Sequence, residues 1–94
     1  MQIKKRDAEK VFRKLGVEPR TSTHHVAGVA RVDGVLTVPL YYSNGRGAMP
    51  GKVSHYFRRS LLLSVPEFER LVRCTMSRSE WASLASERLR GGGQ

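Results

Sequence analysis

Acidic residues and cysteine are scarce in this 94-residue chain. It has 8 Asp and Glu against 17 Lys and Arg, and a net charge of +9. Its single cysteine, Cys74, excludes an internal disulfide, and no N-terminal apolar run resembles a signal peptide, so we expect a cytoplasmic protein. No apolar run approaches the roughly 20 residues that a membrane-spanning helix needs, so we expect no membrane partner.

Metal ligands are also sparse. The chain has three histidines, and the adjacent pair His24 and His25 should point to opposite faces of a strand. No cluster of Cys or carboxylates accompanies the pair, so we expect no metal site. The glycine-rich segment 44–47 lacks the Lys-Ser/Thr of a phosphate-binding loop, so we expect no nucleotide cofactor.

The excess of basic residues is unevenly distributed. Residues 1–20 carry a net charge of +4, residues 21–60 another +4, and residues 61–94 only +1. A small protein charged in this way should attract a polyanion and bind it in a salt-dependent manner. The composition therefore favours a nucleic-acid partner over a surface that is basic only for solubility.

Apolar spacing and turn residues predict the elements in order. We expect residues 5–15 to form an amphipathic helix that ends at Gly16. We expect three antiparallel strands at residues 17–21, 24–32 and 35–39. Asp33-Gly34 predicts a two-residue type I′ turn, Pro39 ends the third strand, and residues 41–51 form a loop. A second helix covers about 51–62, with Val53, Tyr56, Phe57 and Ser60 on its packed stripe. Capping signals at Ser64 and Ser77 predict the starts of two more helices. The last helix is expected to pack through Trp81, Leu84, Ala85 and Leu89. Cys74 is expected to pack at a helix edge, and residues 91–94 are expected to fray.

Alternation along residues 24–32 assigns the two faces of the central strand. The side chains of His24, Val26 and Ala30 point toward the helices, and we expect His24 to be partly buried. Those of His25, Val29 and Arg31 lie on the open face. His55, on the second helix, is expected at the surface. Apolar residues on the open face suggest that a protein partner covers it, or that the chain forms a homo-oligomer through it.

The order of these segments resembles the HicA family of toxin ribonucleases. The matching pieces are the N-terminal helix, the Asp33-Gly34 turn, and three short segments: Ser22-Thr23-His24-His25, Leu36-Thr37-Val38-Pro39 and Met49-Pro50-Gly51-Lys52. The resemblance covers residues 3–73. It implies an α+β, double-stranded-RNA-binding-like fold: a helix, a three-stranded antiparallel sheet and a helix, here with extra C-terminal helices.

The resemblance also implies an mRNA interferase, a metal-independent endoribonuclease of a toxin–antitoxin system, with a HicB-type antitoxin as partner. His25 is then the catalytic residue, and imidazole suits proton transfer from a ribose 2′-hydroxyl near neutral pH. His24 would support it by orienting the strand. Cations available for RNA phosphates are Lys10, Arg13 and Lys14 on the first helix, then Arg31, Arg46 and Lys52.

Residues 1–73 would form the RNA-binding and nuclease domain, and residues 74–94 an extra helix and tail packed on it. The neutral strand after His25 favours an alternative, a non-catalytic module that binds RNA or protein on the same fold. An inactivated member of the family is a form of this alternative. Cleavage of RNA without added metal distinguishes the two.

Overall fold

The computed structural model of the protein describes residues 3–45 and 51–91. These residues form an α+β protein with a three-stranded antiparallel sheet and four helices, as the sequence predicts. In chain order the elements are α1 (Lys5–Leu15), β1 (Arg20–Thr21), β2 (His25–Arg31), β3 (Thr37–Ser43), α2 (Gly51–Ser60), α3 (Val65–Val72) and α4 (Arg78–Leu89).

Helix α1 forms where the apolar spacing predicts it. Its buried side chains recur at i, i+3, i+4 and i+7, so one stripe of the helix faces the core: Ala8, Val11, Phe12 and Leu15. Gly16 ends the helix with a φ of 69°, a left-handed conformation that suits glycine. Both the bounds of this helix and its buried face are confirmed.

The sheet has the strand order β1-β2-β3, so β2 is central and β3 is an edge strand. Alternate residues of β2 and β3 are buried against the helices: Val26, Ala30, Val38, Leu40 and Tyr42. The ring of Phe12 from α1 meets that of Tyr42 edge-on, with centroids 5.1 Å apart. The helices therefore cover one face of the sheet, and the predicted assignment of faces is confirmed for β2.

The connection between β2 and β3 differs from the predicted two-residue turn. A type I′ turn needs a positive φ at both central residues, and neither Asp33 nor Gly34 has one. The backbone N–H groups of Val32 and Asp33 both donate to Leu36 O, at 2.8 and 3.3 Å. The Asp33 carboxylate accepts the N–H groups of Val35 and Leu36, each at 2.7 Å. The acidic side chain closes a longer loop, and this local bond outweighs the turn preference of the dipeptide.

Strand β3 runs through Pro39, where the sequence predicted its end. Pro39 pairs with Val29, and the ladder continues as far as the pair His25 and Ser43. Proline is compatible with an edge strand, where an absent N–H on the outer side removes no ladder bond. The predicted loop from residue 41 is therefore wrong over its first three residues.

Helix α2 is shorter than predicted and is rotated about its axis. It ends at Ser60 instead of residue 62, because the chain turns at Leu62, which has a φ of 63°. Phe57 is buried as predicted, but Tyr56 is 49% exposed, and Ser54 is buried in its place. The Ser54 hydroxyl accepts the N–H of Ile3 at 3.0 Å, which explains why a polar residue lies inside.

Helices α3 and α4 begin at the predicted capping residues. Ser64 and Ser77 each accept a backbone N–H three residues later. Trp81 in α4 is fully buried and donates its Nε1–H to Leu61 O at 3.1 Å. One hydrophobic core extends from α1 to α4, so the helix beyond residue 73 is part of the same packed unit.

Two packing predictions near the C-terminus are wrong. Cys74 is exposed, in a turn with a φ of 63°. Leu89 is 41% exposed at the end of α4, whereas Trp81 and Ala85 are buried and Leu84 is partly buried against the core. Of the predicted frayed tail, residues 92–94 lie outside the described residues.

Gly28 lies where the chain leaving α1 crosses the inner face of β2. A Cβ at this position would lie 2.3 Å from Val17 Cγ1 and 2.9 Å from Glu18 O. We expect Gly28→Ala to lower the free energy of unfolding by about 1–3 kcal/mol, because overpacking forces the backbone to shift. Urea denaturation measures this change. Gly34→Ala is the control, since nothing lies within 4 Å of a Cβ there. Equal stabilities of the two variants would contradict the close approach.

A bidentate ion pair fastens α4 to α3. Arg88 donates to both oxygens of Glu67, at 2.7 and 2.8 Å, and also to Leu62 O at 2.6 Å. Glu67 Oε1 also accepts the N–H of Ser64, which completes a capping box. The Arg88 guanidinium, followed by the Ser64 N–H, lowers the pKa of the Glu67 carboxyl to about 2.

This ion pair should make stability depend on acid pH. The pKa of Glu67 is depressed from 4.5 to about 2, so its contribution is complete above pH 4.5 and is lost as the pH falls toward 2. We expect Glu67→Gln to be less stable than wild type at pH 7 and to approach it below pH 2.5. Urea denaturation at several pH values tests this, and a stability difference independent of pH would contradict it.

Candidate functional site

The face of the sheet opposite the helices carries a mixed set of side chains, which we call the open face. Along β2 it presents His25, Ala27, Val29 and Arg31, and β1 and β3 add Arg20, Pro39 and Tyr41. Val29 at its centre is 56% exposed. All of these residues except His25 line one shallow groove, together with Glu18 and Ser60, and His25 lies outside the groove lining. Cations and apolar groups thus share one exposed surface.

His25 begins β2 and is exposed on the open face, as the sequence predicts. Its backbone N–H donates to the Ser22 hydroxyl at 3.2 Å, and the backbone N–H of Ser22 donates to His25 O at 2.8 Å. Its ring meets that of Tyr41 edge-on, with centroids 5.3 Å apart. Tyr41 pairs with Ala27, so the two rings are diagonal neighbours across β2 and β3. The backbone bonds and this ring contact together restrict the position of the imidazole.

Asn44 fastens the segment that carries the two histidines. Its N–H donates to His24 O at 2.9 Å, its Nδ2 donates to Ser22 O at 2.9 Å, and its Oδ1 accepts from Lys5 Nζ at 3.3 Å. His24 itself is exposed and precedes the strand. The predicted partial burial of His24 is therefore wrong, because the strand begins one residue later. The orienting contacts come from Asn44 and Ser22, and the sequence analysis assigned this role to neither of them.

Arg20 is a further cation that sequence reasoning did not select. It pairs with Ala27 across β1 and β2, so it is a diagonal neighbour of His25 on the open face. Such diagonal positions lie about 7–8 Å apart, which an arginine side chain spans. Arg20 stood within the predicted first strand. Only the register of that strand places it beside His25, and no sequence signal specified the register.

Arg31 lies on the open face as predicted, at the far end of β2. It lies six positions further along the strand than His25, a distance of about 20 Å. The two side chains therefore cannot contact the same phosphate group. Arg31 can contact only a more distant part of an extended ligand.

The cations of α1 are not brought together with His25. Lys10 and Arg13 are exposed on the helix layer, on the other side of the sheet. Lys14 is partly buried, and its Nζ donates to Leu71 O at 3.3 Å, which ties α1 to α3. Lys52 is exposed in the first turn of α2, and Arg46 lies outside the described residues.

The ion pairs lie mainly in the C-terminal part of the chain, where the net charge is small. Within residues 3–45 and 51–91, four acidic residues pair with arginines that all follow residue 69: Arg70–Glu80, Arg73–Glu69, Arg88–Glu67 and Arg90–Asp33. In the same ranges, no cation of α1, the sheet or α2 takes part in an ion pair. The positive charge of these elements is thus available to an anionic partner.

Residues 3–45 and 51–91 contain no group of three or more His, Cys, Asp or Glu side chains placed to hold a metal ion. No helix among them has both the length and the apolar composition needed to cross a bilayer.

The site and fold define a small basic α+β protein with an open sheet face. Neither protein-family models, nor curated proteins, nor solved structures give a match to this chain.

Proposed function

We propose that this protein binds RNA on its open face and cleaves it without a metal ion, with His25 as the group that accepts a proton. The observation that carries the proposal is the exposed imidazole of His25, in contact with Tyr41 and diagonal to Arg20. A proton acceptor, an aromatic ring and a cation thus occupy neighbouring positions on one accessible surface.

The reaction uses the internal nucleophile of RNA. The imidazole of His25 takes the proton of a ribose 2′-hydroxyl, and the 2′-oxygen then attacks the adjacent phosphorus. The bond to the 5′-oxygen breaks, and that oxygen takes a proton from the imidazolium or from water. The products are a 2′,3′-cyclic phosphate and a 5′-hydroxyl. Arg20 would stabilise the negative charge that develops on the phosphoryl oxygens.

Other residues of the open face suit the rest of an RNA strand. Tyr41 offers a ring on which a base can stack, and Val29 and Pro39 offer apolar area next to it. Arg31, about 20 Å from His25, would contact a phosphate several nucleotides away. This arrangement suits an extended strand, whose bases are free to meet the sheet.

The Ser22–His25 segment resembles that of HicA toxins, and this resemblance supports a specific biological role. The protein would be an mRNA interferase acting in the cytoplasm, on a double-stranded-RNA-binding-like fold. An acidic antitoxin of the HicB type would bind the open face and exclude RNA from it. Its carboxylates would pair with Arg20 and Arg31, and its apolar residues would cover Val29.

The direct test is incubation of the purified protein with an unstructured RNA in excess EDTA, followed by analysis of the product ends. We expect cleavage that yields 2′,3′-cyclic phosphate and 5′-hydroxyl ends. RNA in which every 2′-hydroxyl is methylated should bind and stay intact, because it lacks the nucleophile. Cleavage that requires added Mg²⁺, or products with 3′-hydroxyl ends, would contradict the mechanism.

A second candidate is a non-catalytic RNA-binding protein that uses the same face. The exposed apolar centre of that face, Val29 and Pro39, favours it, because such a surface supports binding without chemistry. This candidate predicts salt-dependent binding of RNA that remains intact in the same assay. The presence or absence of product therefore separates the two candidates.

A further inference from the structure

Helix α2 presents a basic and aromatic stripe to solvent. Lys52, Tyr56 and Arg59 follow one another at spacings of four and three residues, so they share one side of the helix. Lys52 and Arg59 are exposed, and Tyr56 is 49% exposed. We call these three residues the α2 stripe. No acidic residue occurs in Gly51–Ser60, so the charge of the stripe is not offset within its own helix.

The α2 stripe adjoins the open face at the edge of the sheet. Helix α2 packs on β3, which has no strand on its outer side among the described residues. Ser60, one helical turn after Tyr56, lines the same groove as Pro39 and Tyr41. The surface of the groove therefore continues around the edge of β3 onto the side of α2 that carries Tyr56.

We propose that the α2 stripe is a second contact surface for single-stranded RNA, which leaves the open face across the edge of β3. Tyr56 stacks on an unpaired base, and Lys52 and Arg59 contact phosphates on either side. The two cations are about 10 Å apart along the helix, a separation that suits phosphates of neighbouring or next-neighbouring nucleotides. This inference rests on the proposed function, since it extends the RNA surface described above.

The exposed face of a helix often carries cations for solubility alone. Tyr56 distinguishes this explanation of the α2 stripe from RNA binding. Within residues 3–45 and 51–91, Lys52 and Arg59 take part in no ion pair. An exposed tyrosine between these two cations adds nothing to solubility, whereas a base has a π-face that stacks on it. Arg58, in contrast, is engaged internally, with Nη1 donating to Leu63 O at 2.7 Å. It is therefore not part of the stripe.

The test is fluorescence anisotropy with a labelled, unstructured 2′-O-methyl RNA of 12 nucleotides, at several salt concentrations. We expect Tyr56→Ala to weaken binding at least about fivefold with an unchanged salt slope, and Tyr56→Phe to restore affinity. The double variant Lys52→Gln/Arg59→Gln should make the negative slope of log K against log salt shallower by about 1.4, since each phosphate contact on a single strand contributes about −0.7.

Arg73→Gln is the control, because Arg73 is an exposed cation directly after the end of α3 and lies outside both surfaces. We expect it to leave the salt slope within about 0.3 of wild type. Arg20→Gln reports on the open face separately. If Arg20→Gln weakens binding and the α2 variants behave like Arg73→Gln, the α2 inference is wrong and the proposed function stands. If the wild-type protein does not bind the RNA, both are wrong.

Discussion

The variant His25→Ala should lose RNA cleavage by about 10²–10⁴-fold while it keeps its fold and its affinity for RNA. The loss follows from removing the group that accepts the 2′-hydroxyl proton, a role worth about that factor in other enzymes. The fold should persist because the ring is exposed and contacts only Tyr41 among the aromatic side chains described. Rates with an unstructured RNA in EDTA, and anisotropy with its 2′-O-methyl form, measure the two quantities.

His25→Gln is the informative companion variant. Glutamine keeps a polar side chain at this position but cannot exchange a proton near neutral pH, so we expect the same loss of cleavage as for alanine. His24→Ala should reduce cleavage far less, since His24 is exposed and its observed bond to Asn44 uses only the backbone. Cleavage by His25→Ala at the wild-type rate would refute a role for this imidazole.

The variant Trp81→Ala should lower the free energy of unfolding by about 3–5 kcal/mol. Trp81 is fully buried, so the substitution leaves a large cavity and also leaves Leu61 O without its donor. A domain of this size has a total stability of only about 5–14 kcal/mol, so the substitution removes a large part of it. Urea denaturation followed by circular dichroism measures the change.

Leu89→Ala in the same helix is the control for Trp81→Ala. Leu89 is 41% exposed, so its truncation should change the free energy of unfolding by less than about 1 kcal/mol. Trp81→Phe should give an intermediate loss, because it keeps most of the apolar volume and loses the hydrogen bond. Equal stability of Trp81→Ala and Leu89→Ala would show that α4 is not part of the core.

Local signals were sufficient to predict α1, the starts of α3 and α4, and the faces of the central strand. The apolar spacing of α1 and the serine caps of α3 and α4 depend on residues within a few positions of one another, and the structure confirms them. Alternation along β2 likewise placed His25 and Arg31 on the open face. In these segments, local preference and tertiary packing agree.

Features that depend on distant residues could not be predicted. Arg20 lies near His25 only through the register of β1 on β2, and Asn44 fastens Ser22 across 22 positions of sequence. The end of β3 was wrongly predicted at Pro39, because the sequence did not show that β3 is an edge strand, where proline is tolerated. The rotation of α2 that exposes Tyr56 buries Ser54, whose hydroxyl accepts the N–H of Ile3, 51 residues away in sequence. Most of these features depend on contacts between different elements, whereas the Asp33-Gly34 turn was mispredicted because of a local bond from the Asp33 carboxylate.

The central claim is that RNA binds the open face at His25, and NMR titration tests it most directly. With ¹⁵N-labelled protein and a 2′-O-methyl RNA, we predict the largest shifts at the ring of His25, at Tyr41 and at the amides of β2. Lys10 and Arg13, on the opposite layer, should shift little. Shifts confined to α1, with the His25 ring unmoved at saturating RNA, would contradict the claim.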